Sequence, residues 1–287
     1  MWKGSKVHEG LWMRSSITRL LIKCYQFLFA RRQFYPVNRL LHALSLRGLG
    51  ILNFENERLS GETCFLKSYL GGKQESVVLD VGANIGAYAE GALKIQPTAH
   101  VYSFEPHPRT FQGLHNAAQR SGFEAVNAGC GSERSELVLY DYPAQDGSAH
   151  ASLYQGVFNS LHGTQPVEHL VTIITLDDFC RERGLLHIDL LKVDVEGNEL
   201  KVLLGFQEYL SEERVDAIHF EFNAMNVVSR VFFKDFVELL KGYEFYRLLP
   251  NGLVRLPEYD PTVYEIFAFQ NIVALRKHRA AGVKGDG

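Results

Sequence analysis

The chain has few cysteines, no long apolar run and almost no acid in its first fifty residues. Each shortage closes off a class of protein. The four cysteines, Cys24, Cys64, Cys130 and Cys180, show no C-x-x-C spacing and no accompanying paired-histidine motif. That argues against a disulfide framework and a structural zinc site, and it makes a reducing compartment, the cytoplasm, the expected location. No apolar run approaches the roughly 20 residues needed to span a bilayer. No small-residue cleavage site follows the apolar part of the amino terminus, so no secretory signal is expected. The G-x-G-x-x-G fingerprint is also missing, and with it the glycine spacing that a nicotinamide-dependent oxidoreductase needs.

What is present is a chain of 287 residues, 46% hydrophobic, with a net charge of −3. This suits one large α/β domain with an added segment. Charge is distributed unevenly. Of 30 basic and 33 acidic residues, the first fifty hold nine basic and only Glu9, a net of +8, leaving 21 against 32 and a net of −11 in the rest. Within that basic block, Ile17, Leu20, Leu21, Cys24, Phe27 and Leu28 recur at helical spacing, with Arg19, Lys23 and Gln26 off the stripe. The preferred reading is a helical extension over residues 1–50 that packs its apolar face on the acidic body. The alternative is a basic amphipathic helix making peripheral contact with a membrane.

The chain is organised around Val77–Gly86, where the run Val77-Val78-Leu79 ends at Asp80 and a turn follows with Gly82, Asn84 and Gly86. A β-branched run that stops at a Gly-rich turn and restarts as a helix opens a doubly wound α/β fold. The carboxylate of Asp80 would repel a pyrophosphate but suits a ligand with an ammonium group, and S-adenosylmethionine carries both an ammonium and a sulfonium. The plain alternative is an ordinary strand-to-helix turn. A second strand, Val101–Phe104, stops at Glu105, 19 residues after Gly86, where a carboxylate can accept hydrogen bonds from ribose hydroxyls. A third strand near Glu124–Ala128 puts Asn127 on the adenine side. Strand-like runs at Leu137–Tyr142 and Leu170–Thr175 read as a hairpin overhanging the crevice, with His150 in the loop between them.

Further on, the strand Leu190–Val193 delivers Asp194 and Glu196 to a strand-to-helix turn, and Ala217–Phe222 brings Glu221 to the same edge. Carboxylates at such apolar strand ends are costly to bury unless paired, hydrogen-bonded or metal-bound. Lys192 shares a face with Asp194 and offers a pairing partner. The run from Lys277 is Gly/Ala/Lys-rich and reads as a flexible tail over 277–287, leaving 51–276 as the domain.

Asp80-Val-Gly-Ala-Asn-Ile-Gly86, Phe104-Glu-Pro106, Thr175-Leu-Asp-Asp178, Leu191-Lys-Val-Asp-Val-Glu-Gly197 and Phe220-Glu-Phe222 together resemble the FkbM family of S-adenosylmethionine-dependent methyltransferases. Ser60-Gly61-Glu62 and Gln270-Asn-Ile-Val-Ala274 extend the likeness over about residues 50–276. The resemblance implies a class I methyltransferase fold, a Rossmann-like, mostly parallel seven-stranded sheet. It also implies transfer to a hydroxyl of a small molecule, glycan or glycolipid. It puts Asp80, Gly82, Asn84 and Gly86 on the methionine part of the cofactor, Glu105 on its ribose, and Asp194 and Glu196 at the reacting end. Asp194 or Glu196 is expected as the base with Glu221 in support, or the three carboxylates hold Mg²⁺. A catalytically inactive S-adenosylmethionine-binding module, or a methyltransferase acting on protein or RNA, are the rival readings. Nucleic acid is disfavoured because the body is acidic. Nothing in the sequence addresses oligomeric state, and acceptor identity is assigned to the loop Asp141–Pro166 and the first helices.

Overall fold

A computed structural model of the chain describes residues 16–141 and 167–277. The expected loop histidine, His150, lies outside the described residues, as do most of the acceptor loop and nearly all of the expected tail. The runs of apolar and β-branched residues form strands as their periodicity predicts. These are β1 (Val77–Val81), β2 (His100–Phe104), β3 (Glu124–Val126), β7 (Ile188–Val193), β8 (Val215–Phe222), β9 (Tyr243–Leu249), β10 (Gly252–Arg255) and β11 (Gln270–Arg276). They join in one sheet of order β10-β9-β11-β8-β7-β1-β2-β3. β1 pairs in parallel with β2 and β7, and β7 with β8, whereas β11 runs antiparallel between β8 and β9. Seven of the strands make the expected mostly parallel sheet. The eighth, β10, is an antiparallel edge hairpin with β9. The chain steps outward from β1 to β3 and then returns to β7 on the other side of β1. The strand order therefore reverses at β1/β7, and in such sheets ligands bind beyond the carboxyl ends of the strands at that point.

The strands between form a second sheet of order β4-β6-β5, from β4 (Gly129–Cys130), β5 (Ser135–Asp141) and β6 (Val167–Ile174). β5 and β6 pair antiparallel from Ser135↔Ile173 to Asp141↔Val167, which is the expected hairpin. Its far end is tied down: buried His107 lies with Nε2 3.4 Å from Asp141 Oδ2.

Apolar layers cover both faces of the main sheet. One is rich in phenylalanine, with Phe179, Phe206, Phe220, Phe233 and Phe236. The other holds Phe65, Leu66 and Leu70 of α4 (Glu62–Leu70), Ala89 and Ala92 of α5 (Ala87–Ile95), and Leu114 of α6 (Pro108–Ser121). Helix α6 begins at Pro108, and His107 caps it by accepting the Arg109 and Thr110 N–H groups at Nδ1.

The first two helices, α1 (Ser16–Phe29) and α2 (Tyr35–Gly48), correct the preferred reading of the extension. Neither contributes a buried residue. They contact each other: Tyr25 Oη donates to Asn38 Oδ1 at 2.5 Å, and Asn38 Nδ2 donates to the Phe29 carbonyl at 3.0 Å. The hairpin is joined to the body at its root, where Leu52 N–H donates to the Phe269 carbonyl at 2.7 Å. Helical periodicity shows that a face is apolar, but nothing in it says what that face meets. No helix among the described residues is long and apolar enough to cross a membrane.

Candidate active site

At the carboxyl end of β1 the chain turns through Gly82 (φ +83°), Asn84 (φ +49°) and Gly86 (φ +92°). The glycines are needed for close approach to neighbouring elements. A Cβ on Gly82 would stand 1.8 Å from the Asp194 carbonyl oxygen, and one on Gly86 would meet Phe123 at 2.8 Å and Leu114 at 3.1 Å. Asn84, left-handed without being glycine, is held there because its N–H donates to Glu105 Oε2 at 3.1 Å.

Glu105 is 8% exposed, and its other oxygen accepts the His107 N–H at 2.8 Å. Burial raises its carboxyl to about 7, against the lowering effect of those two backbone donors. Each oxygen keeps a second lone pair, and the side chain lines a crevice with Gly82, Pro106, Cys130, Leu139 and Ile173. A buried carboxylate with spare acceptor capacity beside an apolar slot fits a ribose and a flat base. The second sheet supplies that slot's wall. Asn127 stands apart from it: its amide donates to the Glu105 carbonyl at 2.9 Å and the Pro106 carbonyl at 3.3 Å, securing the turn from outside the crevice.

Behind the turn, adjacent strands place a polar side chain at the same register: Ser103 opposite Asp80, Asp80 opposite Lys192, Lys192 opposite His219. All four are buried beneath α4 and α5. Asp80 is 1% exposed, and burial raises it to about 7, with Lys192 pulling the other way. Burial alone disfavours the Lys192 ammonium, yet the carboxylates of Asp194, Glu62 and Glu221 hold it well above the ordinary lysine value. Its Nζ lies 3.4 Å from Asp194 Oδ2 and 3.5 Å from Glu62 Oε1. The expected Lys192–Asp194 pair is therefore present, but Glu62 completes it. Burial and then Lys192 keep His219 well below its ordinary value, so the ring is neutral, set between Tyr88 Oη (3.1 Å) and Asn271 Oδ1 (3.0 Å).

Beyond β7, Glu196 is left-handed (φ +50°) and Gly197 follows at φ +94°. Glu199 fixes this turn, accepting the Val195 and Gly197 N–H groups at 3.2 and 3.0 Å; burial raises it to about 7. Asp194, Glu196 and Glu221 line one opening together with Glu62, Phe54 and Phe269. Gly82, Asn84 and Asp194 are common to this opening and to the crevice holding Glu105. Glu221 sits well above its ordinary value, through burial first and then Asp194. The structure thus brings the three expected carboxylates together. It adds Glu62, Tyr88, His219 and Asn271, whose roles come from contacts distant in sequence, and Glu199, which holds its own turn. The matched register of polar residues next to strand ends was the one signal available for part of that set.

The methyltransferase FkbM domain matches residues 80–245, more than half of the chain. The chain belongs to the FkbM methyltransferase family. As a family member it is an S-adenosylmethionine-dependent methyltransferase with the class I fold, and its sheet places the last strand antiparallel between the fifth and sixth. It is similar to the 31-O-demethyl-FK506 methyltransferase FkbM of Streptomyces tacrolimicus, 27% identical over 259 residues, 81% of this chain and 92% of that protein. It is 28% identical to the 2-O-methyltransferase NoeI of Sinorhizobium fredii over 199 residues, 63% of this chain and 77% of that one. Methyltransferase 1 of Beauveria bassiana is 32% identical over 151 residues, 47% of this chain and 59% of its own length.

Proposed function

We propose that this FkbM-family enzyme methylates a hydroxyl oxygen of a small-molecule or glycan acceptor, with Asp194 taking the hydroxyl proton and Glu196 and Glu221 in support. One observation carries the reading: carboxylates from β7, β8 and α4 converge on an opening continuous with the crevice that holds Glu105. Relatives named for 2-O- and 31-O-methyl chemistry support an oxygen acceptor. S-adenosylmethionine, when bound, would supply a methyl carbon made electrophilic by its sulfonium sulfur, which leaves as a neutral thioether. Glu105 would hold its ribose, and the buried Asp80 and the Gly82–Gly86 turn would hold its methionine part.

A hydroxyl is a weak nucleophile near neutrality, so removal of its proton as the bond forms is where a side chain can act. Asp194 and Glu196 both line the two parts of the cleft, and Asp194, paired with Lys192 at 3.4 Å, keeps a solvent-exposed share of its side chain. Positioning supplies much of the remaining acceleration. Magnesium is the finer alternative, since hard oxygen ligands suit it. However, the only group of three among the described residues with ligand atoms within 4.8 Å of one another is His187, Asp189 and Asp216. That group sits at the amino ends of β7 and β8, where Lys73 and Arg276 already bind its acids. We therefore assign proton transfer to the carboxylates, and EDTA should leave turnover unchanged.

The test is transfer of a radiolabelled methyl group to glycan and lipid extracts. Asp194→Asn should lower kcat about 10²- to 10⁴-fold while S-adenosylhomocysteine binding, followed by calorimetry, persists. Full turnover in that variant removes Asp194 from the role. Label appearing in protein or RNA overturns the acceptor class, and no transfer to any fraction leaves a binding module.

A further inference from the structure

The α1–α2 hairpin is the largest feature the methyl-transfer site does not use. On α1, Ile17 (73% exposed), Leu20 (61%), Leu21 (64%) and Leu28 (54%) form one stripe. Tyr25 and Phe29 turn to a second face, their rings 5.1 Å apart, with Phe29 against Phe34 at 5.2 Å. These rings and the Tyr25–Asn38 bond hold the hairpin together and leave the aliphatic stripe uncovered. Helix α2 repeats the pattern with Val37, Leu40, Leu41 and Leu44, all exposed. Soluble monomers seldom expose so much aliphatic surface without a use for it.

Charge decides what covers it. From Ser16 to Gly50 there are six basic residues (Arg19, Lys23, Arg31, Arg32, Arg39 and Arg47) and no acidic one. Arg19 and Lys23 lie off the aliphatic stripe of α1. Apolar side chains on one face of a helix whose charged residues are all cations suit the interface of an anionic bilayer. The root is rigid. Arg47 Nη1 donates to the Leu52 carbonyl at 2.9 Å and to Glu55 Oε1 at 2.6 Å, and Ile51 is fully buried. Three residues further on, Phe54 lines the carboxylate opening.

We propose that the α1–α2 hairpin docks on an anionic lipid surface by burying its aliphatic stripes among the acyl chains while its basic residues other than Arg47 meet the headgroups. Because the root adjoins the opening, docking holds the acceptor mouth close to that surface. The proposal is independent of which carboxylate acts as base.

Flotation of the full chain with vesicles of phosphatidylglycerol and phosphatidylcholine, compared with phosphatidylcholine alone, tests it. The chain should float with the anionic vesicles and not with the neutral ones, and less so as salt is raised. Leu20→Asp/Leu21→Asp and Arg19→Glu/Lys23→Glu should each weaken partitioning roughly tenfold or more. Both variants should still bind S-adenosylhomocysteine by calorimetry, since none of these residues is buried. Absence of flotation overturns the proposal, as does flotation indifferent to either variant. So does concentration-dependent self-association in sedimentation that Leu20→Asp/Leu21→Asp abolishes without any vesicle binding, because a second copy would then be what covers the stripe.

Discussion

Glu105 shows how much one side chain decides. Two backbone N–H groups point at its oxygens, yet burial still lifts it to about 7. The apo protein therefore keeps much of this carboxyl protonated near neutrality. A ligand offering two hydroxyls to it favours the charged form, so binding should release protons. Titrating S-adenosylhomocysteine at pH 7 in buffers of different ionisation enthalpy should give heats that differ accordingly, and equal heats contradict this assignment. Glu105→Gln should weaken binding about 10- to 100-fold, since one of the hydroxyl acceptors becomes a donor. Glu221, also raised, must lose its proton to support a base, so kcat should rise with pH and level off above that residue's own value. A flat profile on the acid side would remove it from the reaction.

Among the elements, the β1 turn has the sharpest requirement. Gly82 and Gly72 share almost the same backbone, φ +83° and +82°, but only at Gly82 does a Cβ collide with another strand's carbonyl; at Gly72 nothing lies within 4 Å. Gly72→Ala should cost about 1 kcal/mol from backbone strain alone, and Gly82→Ala about 3 kcal/mol or more from strain plus overlap. Chemical denaturation measures both, and equal costs would show that the contact is unimportant. This element was legible in the sequence, because a strand that ends at a glycine turn is a local pattern. Asp194, Glu196 and Glu221 were legible for the same reason, as acids that interrupt apolar runs. The Tyr88–His219–Asn271 chain was not. Its members are 131 and 52 residues apart, and each reads alone as an ordinary core residue.

For the whole molecule, burial leaves Asp80, Glu105 and Glu199 near 7 and Glu221 well above its ordinary value. A carboxyl whose folded value is raised holds its proton where the unfolded chain has lost it. The folded state is therefore favoured below the raised value, and stability declines as pH climbs towards it. His219, depressed by burial, acts in the opposite sense below its ordinary value, one group against four. The Tm of the ligand-free protein should fall by several degrees between about pH 5.5 and 7.5. Saturating S-adenosylhomocysteine should flatten that slope, and a Tm that rises over the interval contradicts it.

Glu62 lies upstream of residues 80–245, the stretch the FkbM domain matches, and β11 lies downstream of it. Trimming the gene to residues 80–245 would strip Lys192 of a counter-ion, cut β9 short and pull the central antiparallel strand out from between β8 and β9. Such a fragment should be recovered as insoluble aggregate, because the strand that closes the sheet and the acid that balances a buried ammonium both lie outside it.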